Sequence, residues 1–99
     1  MAGYIGLLKF TQQGIANRKE LPDRVKRSKA LAEQMGIRPV GVWMTMGSYD
    51  MLIIGDAPDD QTVAAFALAL AGAGNVTTET VRAFSEEEIS QIVSRLPSG

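Results

Sequence analysis

A short turn, Gly-Ser-Tyr-Asp at positions 47–50, separates two strand-like runs in the middle of the chain. The runs Val40–Met46 and Met51–Gly55 are rich in β-branched, aromatic and other large apolar side chains, a composition typical of strands. A tight turn between two such runs predicts a pair of adjacent antiparallel strands. The turn therefore constrains the topology more than any other segment, and we expect it at the edge of a cleft shared between subunits.

The rest of the chain alternates between helical and strand patterns. In order, we predict strand Tyr4–Phe10, helix Pro22–Met35, helix Gln61–Gly72, strand Val76–Phe84 and helix Glu86–Leu96. With the central pair this makes β-α-β-β-α-β plus a terminal helix, the ferredoxin-like order of an α+β fold. Such a fold has an antiparallel sheet with both main helices on one face. At 99 residues we expect one domain over 1–96 and a frayed tail at 97–99.

Capping residues mark the predicted helix ends. Gly36 suits the left-handed position that follows a helix. Asp59 or Asp60 is the expected N-cap of the helix that starts at Gln61. Ser85 and Glu88 have the spacing of a capping box, in which each side chain binds the other residue's backbone N–H.

The predicted helix 61–72 carries no charge from Val63 to Ala71. A helix that is apolar all round is buried on more than one side, whereas a single sheet covers only one. The sheet itself has a second face that the two helices leave open. Both features predict burial against another copy, with two sheet faces paired as a dimeric α/β barrel. We therefore expect a homodimer or higher oligomer, with either a packed core or a ligand cleft between the sheets.

The chain contains neither His nor Cys. This composition excludes disulfides, thiolate chemistry, zinc fingers and the usual Ser–His nucleophile pair. The acids at 56, 59 and 60 lack the alternating spacing of a calcium loop, and helix capping explains them better. We assign no catalytic residue, no metal and no cofactor from the sequence.

Charge is unevenly distributed along the chain. Residues 1–49 hold eight Lys/Arg and three Asp/Glu, a net +5, whereas residues 50–99 hold two and eight, a net −6. Two solvated helices of opposite charge explain this, as do complementary patches that steer subunits together. The basic stretch is too short to indicate a nucleic-acid partner. No run approaches the roughly 20 apolar residues of a membrane span, so a cytoplasmic protein is the expectation.

Three charged residues on the outer and central strands are candidate ligand contacts: Lys9, Glu79 and Arg82. Their faces stay open at this point, because a slip of one residue exchanges the two sides of a strand. Facing the cleft, Arg82 would bind a carboxylate or another anion through two hydrogen bonds. The alternative is an ion pair with Glu79, Asp50 or Asp56.

Three residues in or beside the central turn are further candidates. Tyr49 and Asp50 have the chemistry of a ligand-reading pair, an aromatic wall beside an acceptor for an amine or hydroxyl. The structural alternative is that Asp50 binds its own turn backbone while Tyr49 packs on a neighbour. Trp43 is interpreted as a core or interface residue in preference to a stacking platform.

Several stretches together are similar to a known family: Leu7–Thr11, Gly14-Ile15, Gly47–Ile54, Ala57–Asp60, Ala64–Leu70 and Gly74–Phe84. They span the chain to about Val93 and resemble the GYD domain family, which is named for a Gly-Tyr-Asp motif at the central turn. Here Ser48 stands between the Gly and the Tyr, one residue more than the literal motif. The resemblance implies a ferredoxin-like, dimeric α/β-barrel type of fold and supplies no catalytic residues.

A more distant similarity is to the ligand-sensing domain of leucine-responsive regulators, which has the same order of elements and a comparable turn near effector sites at subunit interfaces. This chain leaves no room for their helix-turn-helix, so a free-standing binding module is the expected analogue. The leading hypothesis is a homo-oligomer that binds a small molecule or a partner protein at a subunit interface. The alternatives are a cofactor-free monooxygenase or isomerase that uses the barrel cleft, and a purely structural assembly module.

Overall fold

The computed structural model describes residues 1–98. The four strands and three main helices follow one another in the predicted order, and a further short helix, α1, lies in the connection after β1. The elements are β1 Ala2–Phe10, α1 Gln12–Ala16, α2 Leu21–Gln34, β2 Arg38–Met44, β3 Met51–Ala57, α3 Asp60–Gly72, β4 Val76–Ala83 and α4 Glu86–Val93. A 3₁₀ turn, Arg18–Glu20, joins α1 to α2. The predicted tail at 97–99 ends on Gly99, which lies outside the described residues.

The strands form one antiparallel sheet in the order β2-β3-β1-β4. The two central strands are β1 and β3, paired with Leu8 opposite Met51 and Tyr4 opposite Gly55. This is the ferredoxin-like arrangement that the sequence predicts, and the α+β class is confirmed. A bulge in β2 at Val40 shifts its register against β3.

The helices α2 and α3 cover one face of the sheet. Even-numbered residues of β1 point to that face, since Tyr4 and Leu8 are buried in the core while Lys9 between Leu8 and Phe10 is exposed. The core residues besides these two come from α2, α3, β3 and the loop before β2: Ala32, Ile37, Met51, Ala57, Val63 and Phe66. The core is small, and it lies between the sheet and the two helices.

The long connection after β1 is fixed to the start of β4. The Thr11 amide donates to the Asn75 carbonyl at 3.0 Å, and the Thr11 side chain caps α1 by accepting from the Gly14 amide at 3.1 Å. Gly14 is buried so closely against Asn75 that a Cβ there would stand 2.1 Å from the Asn75 carbonyl oxygen. The connection is therefore an ordered part of the fold.

The predicted caps are confirmed. Asp59 is the N-cap of α3, and its carboxylate accepts from the Thr62 amide at 2.8 Å, which together with the Thr62 hydroxyl lowers the pKa of Asp59. Gly36 has the positive φ of +82° expected after α2. Ser85 and Glu88 form the reciprocal capping box at the start of α4.

One side of α3 is exposed, as an apolar helix beside a single sheet requires. Its outward residues are Ala64, Ala65, Leu68 and Ala69, of which Leu68 is 75% exposed. Within residues 1–98, each helix is too short or too polar to cross a bilayer.

Candidate functional site

The face of the sheet opposite α2 and α3 is uncovered and largely apolar. Alternation along the strands and the pairing register place these side chains on it: Ile5, Leu7, Trp43, Leu52, Ile54 and Val81. Most of them are half-buried by one another, whereas Trp43 and Val81 are 51% and 39% exposed. We call this surface the open sheet face. Contiguous apolar patches of a few hundred Å² on a sheet mark interaction sites.

At one end of the open sheet face, three predicted site residues come together: Lys9, Tyr49 and Glu79. The Tyr49 hydroxyl donates a hydrogen bond to the Glu79 carboxylate, and the Lys9 ammonium lies 5.3 Å from the centre of the Tyr49 ring. This hydrogen bond, helped by burial, raises the pKa of the Tyr49 phenol, because losing the proton would place two negative charges side by side. We call these residues the polar cluster.

The polar cluster borders a shallow cavity of about 210 Å³ whose wall also includes Leu7 and Thr77. The wall combines an ammonium group, a carboxylate and hydroxyl groups, and Leu7 is its one aliphatic residue. Such a set can hold a small molecule or a peptide that carries both a positive and a negative group. It provides no pair of groups arranged for nucleophilic attack.

Asp50 is next to Tyr49 in the chain but points in a different direction. Its carboxylate accepts from the Phe10 amide at 2.8 Å, and its own amide donates to the Leu8 carbonyl at 2.8 Å. The Asp50 carbonyl also accepts from the Thr45 amide at 2.8 Å. Asp50 thus prolongs the pairing of β3 with β1 by one residue and anchors the turn to the central strand.

Arg82 lies apart from the polar cluster, on the face of β4 that points towards the helices. It pairs with Glu88 of α4 at 3.1 Å and donates to the Gly3 carbonyl at 3.2 Å. Its guanidinium also lies 4.4 Å from the centre of the Phe84 ring. Backbone capping by Ser85 and the contact with Arg82 together lower the pKa of Glu88. Arg82 therefore ties α4 to the sheet.

The predicted ion pairs of Arg82 are wrong, because Glu79, Asp50 and Asp56 are all engaged elsewhere. Asp56 forms an ion pair with Arg38, its register partner on β2, at the other end of the open sheet face. Glu79 binds Tyr49 and Asp50 binds the Phe10 amide. Sequence reasoning missed both Arg38 and Glu88 as partners. The hairpin register holds a signal for the first, since Arg38 and Asp56 are cross-strand neighbours.

Trp43 belongs to the open sheet face and not to the core between the sheet and helices. Its ring lies across Gly41, two residues earlier on the same strand face, and a Cβ at Gly41 would stand 2.2 Å from the ring. Gly41 therefore allows the indole to lie flat on the sheet. A half-exposed Trp held in this way is typical of interfaces.

A second polar contact occurs at the N-terminus of α3. The Tyr4 hydroxyl donates to the Asp60 carboxylate, and this hydrogen bond, with burial, raises the pKa of Tyr4. In the described part of the chain, the acidic residues form no group of three close enough to hold a metal ion.

Comparison with known families places these features in context. The family model described as GYD domain matches residues 4–93. The chain belongs to the GYD domain family. In this GYD domain the Tyr and the Asp of the turn make different contacts. Asp50 binds the backbone of β1, and Tyr49 reaches the open sheet face.

A curated relative of this GYD domain protein comes from Thermus thermophilus. It is named "Glutamine synthetase and cystathionine beta-lyase binding protein". The two sequences are 31% identical over 97 residues, which cover 97% of this chain and 99% of the relative. The relative is thus a protein of similar length whose name describes binding to other proteins.

Proposed function

We propose that this GYD domain protein works by binding another protein, and that it does so as a homodimer joined through the open sheet face. The observation that carries the proposal is the apolar centre of that face, which no element of the described chain covers. The relative's name as a binding protein for two enzymes supports the choice of protein partners over catalysis. The second copy is the favoured occupant of the open sheet face for two physical reasons.

The first reason is area. Strands of seven residues extend about 23 Å, and four strands side by side span about 19 Å. Two copies therefore cover roughly 900 Å² in projection, and side-chain relief increases the accessible surface that is buried. The projected area alone lies just below the ~1,000 Å² expected of a specific interface, so the side-chain contribution is needed to bring the buried surface into that range.

The second reason is charge. One end of the open sheet face carries Lys9 beside Glu79, and the other end carries Arg38 paired with Asp56. Each end thus holds one cation and one anion. A two-fold rotation can therefore place either end of one copy against either end of its partner with each cation facing an anion. A self-complementary interface requires such an arrangement.

The dimer is tested by solution mass. Val81→Lys places a charge on the open sheet face at a half-exposed site of an edge strand, where folding is expected to survive. Leu68→Lys, on the exposed side of α3, is the matched control. We expect light scattering to give at least twice 10.6 kDa for the wild type and the control, and a lower mass for Val81→Lys. A monomeric wild type at micromolar concentration contradicts the dimer.

Protein binding is tested separately with the enzymes that the relative's name supplies. Purified glutamine synthetase and cystathionine beta-lyase from this protein's own source organism are passed over the immobilised chain. We expect saturable binding of at least one of them, with an unrelated enzyme of similar size as control. Failure of both removes the proposed partner class and leaves the dimer untouched.

A second candidate function rests on the polar cluster, where the cavity of about 210 Å³ opens onto the same face. In the paired arrangement two such cavities border one inter-sheet space, which fits a small molecule with both an acidic and a basic group. A thermal-shift screen of small zwitterions tests this. A ligand that stabilises the wild type and equally stabilises Lys9→Ala and Tyr49→Phe binds elsewhere.

A further inference from the structure

Helix α4 exposes an apolar stripe that no other element of residues 1–98 covers. Ile89, Ile92 and Val93 share one side of the helix, and Leu96 lies in the turn that follows it; each of the four is between 44% and 66% exposed. The helix is held by its capping box and by the Arg82–Glu88 ion pair at its first turn. The described chain is correspondingly elongated, at 56 × 30 × 19 Å. An amphipathic helix with an uncovered apolar side requires a partner surface.

The other side of the molecule offers a groove of suitable chemistry. Helices α2 and α3 contact each other over only a short length, and an open space of about 200 Å³ lies between them. Its floor is apolar and includes Leu8 and Met51 of the central strands, while Val25 on α2 and Leu70 on α3 form its walls. We call this space the interhelix groove. Grooves of this kind receive the apolar side of an amphipathic helix.

Charge favours the same pairing. Arg24 and Arg27 of α2 line the rim of the interhelix groove, and no carboxylate of the described residues lies within ion-pair distance of either. The first turn of α4 is Glu86-Glu87-Glu88, of which only Glu88 has an ion-pair partner among these residues. The two surfaces are therefore opposite in charge as well as alike in apolar character.

In the described fold α4 does not occupy the groove of its own chain, since none of its residues lines it. The groove extends to Phe10 and Val76, the register pair at the far end of β4, whereas α4 starts three residues beyond Ala83 at the near end. Seven residues of strand separate these ends by about 23 Å. The eight residues of α4 extend only about 12 Å. Even with Phe84 and Ser85 fully extended, which adds about 7 Å, the eight residues of α4 fall short of the far end.

From these observations we propose that α4 docks in the interhelix groove of a second copy of this chain. A reciprocal exchange, in which each copy supplies a helix and a groove, closes as a two-fold pair. This contact uses the helix-covered side of the sheet and is independent of the open sheet face. A chain that uses both the open sheet face and the α4 contact forms assemblies larger than a dimer. Loss of one contact leaves dimers that are joined through the other.

A charge-exchange experiment on the full chain tests the docking by solution mass. Arg27→Glu on the groove rim and Glu87→Lys on α4 each oppose like charges, and both sites are exposed. The background is Val81→Lys, so that the open sheet face does not contribute. We expect each single change to weaken association about tenfold and the double change to restore it. Weakening by neither change, or no restoration by the pair, overturns the proposal.

A mixing experiment identifies the occupant. In the same Val81→Lys background, a copy with Ile92→Glu keeps a working groove, and a copy with Arg27→Glu keeps a working helix. We expect each alone to be mainly monomeric and their equimolar mixture to recover a dimer through one helix and one groove. Circular dichroism confirms that each is folded. A mixture that stays monomeric shows that α4 does not dock in this groove, whether or not the sheet-face dimer exists.

Discussion

The Asp50 carboxylate accepts a hydrogen bond from the Phe10 amide at 2.8 Å, across 40 residues of sequence. Phe10 is the last residue of β1, and Asp50 stands just before β3. The side chain thus replaces a backbone carbonyl and extends the pairing of the two central strands beyond their register. Its neighbour Tyr49 is thereby held at the end of the open sheet face.

Replacing Asp50 should destabilise the fold. Asp50→Ala leaves the Phe10 amide without its acceptor in a partly buried site, and we expect the free energy of unfolding to fall by about 1–3 kcal/mol. Asp50→Asn keeps an acceptor oxygen and should lose less. Urea denaturation followed by far-UV circular dichroism measures both. Equal stability of the alanine variant and the wild type would contradict the anchoring role.

The order of the elements was predictable because it depends on local patterns. The capping box at Ser85 and Glu88 spans three residues, and the alternation of β1 is read within one strand. The face of Arg82 was not predictable, since it depends on pairing with β1 more than 70 residues away, and a slip of one residue reverses it. For the same reason the contact between Tyr49 and Glu79 becomes visible only in the folded sheet.

The hydrogen bond from Tyr49 to Glu79 predicts the behaviour of the Tyr49 phenol at high pH. Its pKa is raised above the ordinary value of 10.0 by the neighbouring carboxylate. The contact therefore stabilises the fold fully below pH 10 and is lost as pH rises through the raised pKa. Glu79→Gln should return this pKa towards 10. Absorbance titration near 295 nm measures it, with Tyr49→Phe to isolate the signal of Tyr4.

The absorbance titration can also contradict the bond between Tyr49 and Glu79. The pKa of Tyr4 is raised by Asp60 and should be unaffected by Glu79→Gln, because Tyr4 lies on the helix-covered face of the sheet and Tyr49 on the open face. If the phenolic curve of the Glu79→Gln variant matches that of the wild type, then Tyr49 and Glu79 are not bonded in solution.

Gly14 should tolerate no side chain. A Cβ at this position would stand 2.1 Å from the Asn75 carbonyl oxygen, and backbone cannot move aside as a flexible side chain can. We expect Gly14→Ala to cost about 1–3 kcal/mol of stability. Gly72→Ala is the matched control, since a Cβ there meets nothing within 4 Å and α3 gains a better helix former. Thermal unfolding should give a lower midpoint than the wild type for Gly14→Ala and a higher one for Gly72→Ala.

The attachment of α4 should weaken in acid. The Glu88 carboxylate accepts from the Ser85 amide at 3.1 Å and pairs with Arg82, and both contacts lower its pKa. Their stabilisation is present above the ordinary Glu value of 4.5 and is lost as pH falls through the lowered pKa. Hydrogen exchange of the α4 amides should accelerate beyond its intrinsic rate over this range. Glu88→Gln, which keeps an acceptor but no charge, should remove most of the pH dependence.

Trp43 reports directly on the open sheet face, because the chain contains one Trp and its ring is 51% exposed there. If two copies pair through this face, the indole leaves water on association, and its emission maximum should shift to shorter wavelength as the protein concentration rises. Val81→Lys should keep the emission of the dilute protein at all concentrations, whereas Leu68→Lys should follow the wild type. A wild-type emission maximum that stays constant while the mass doubles would show that the copies meet through another surface.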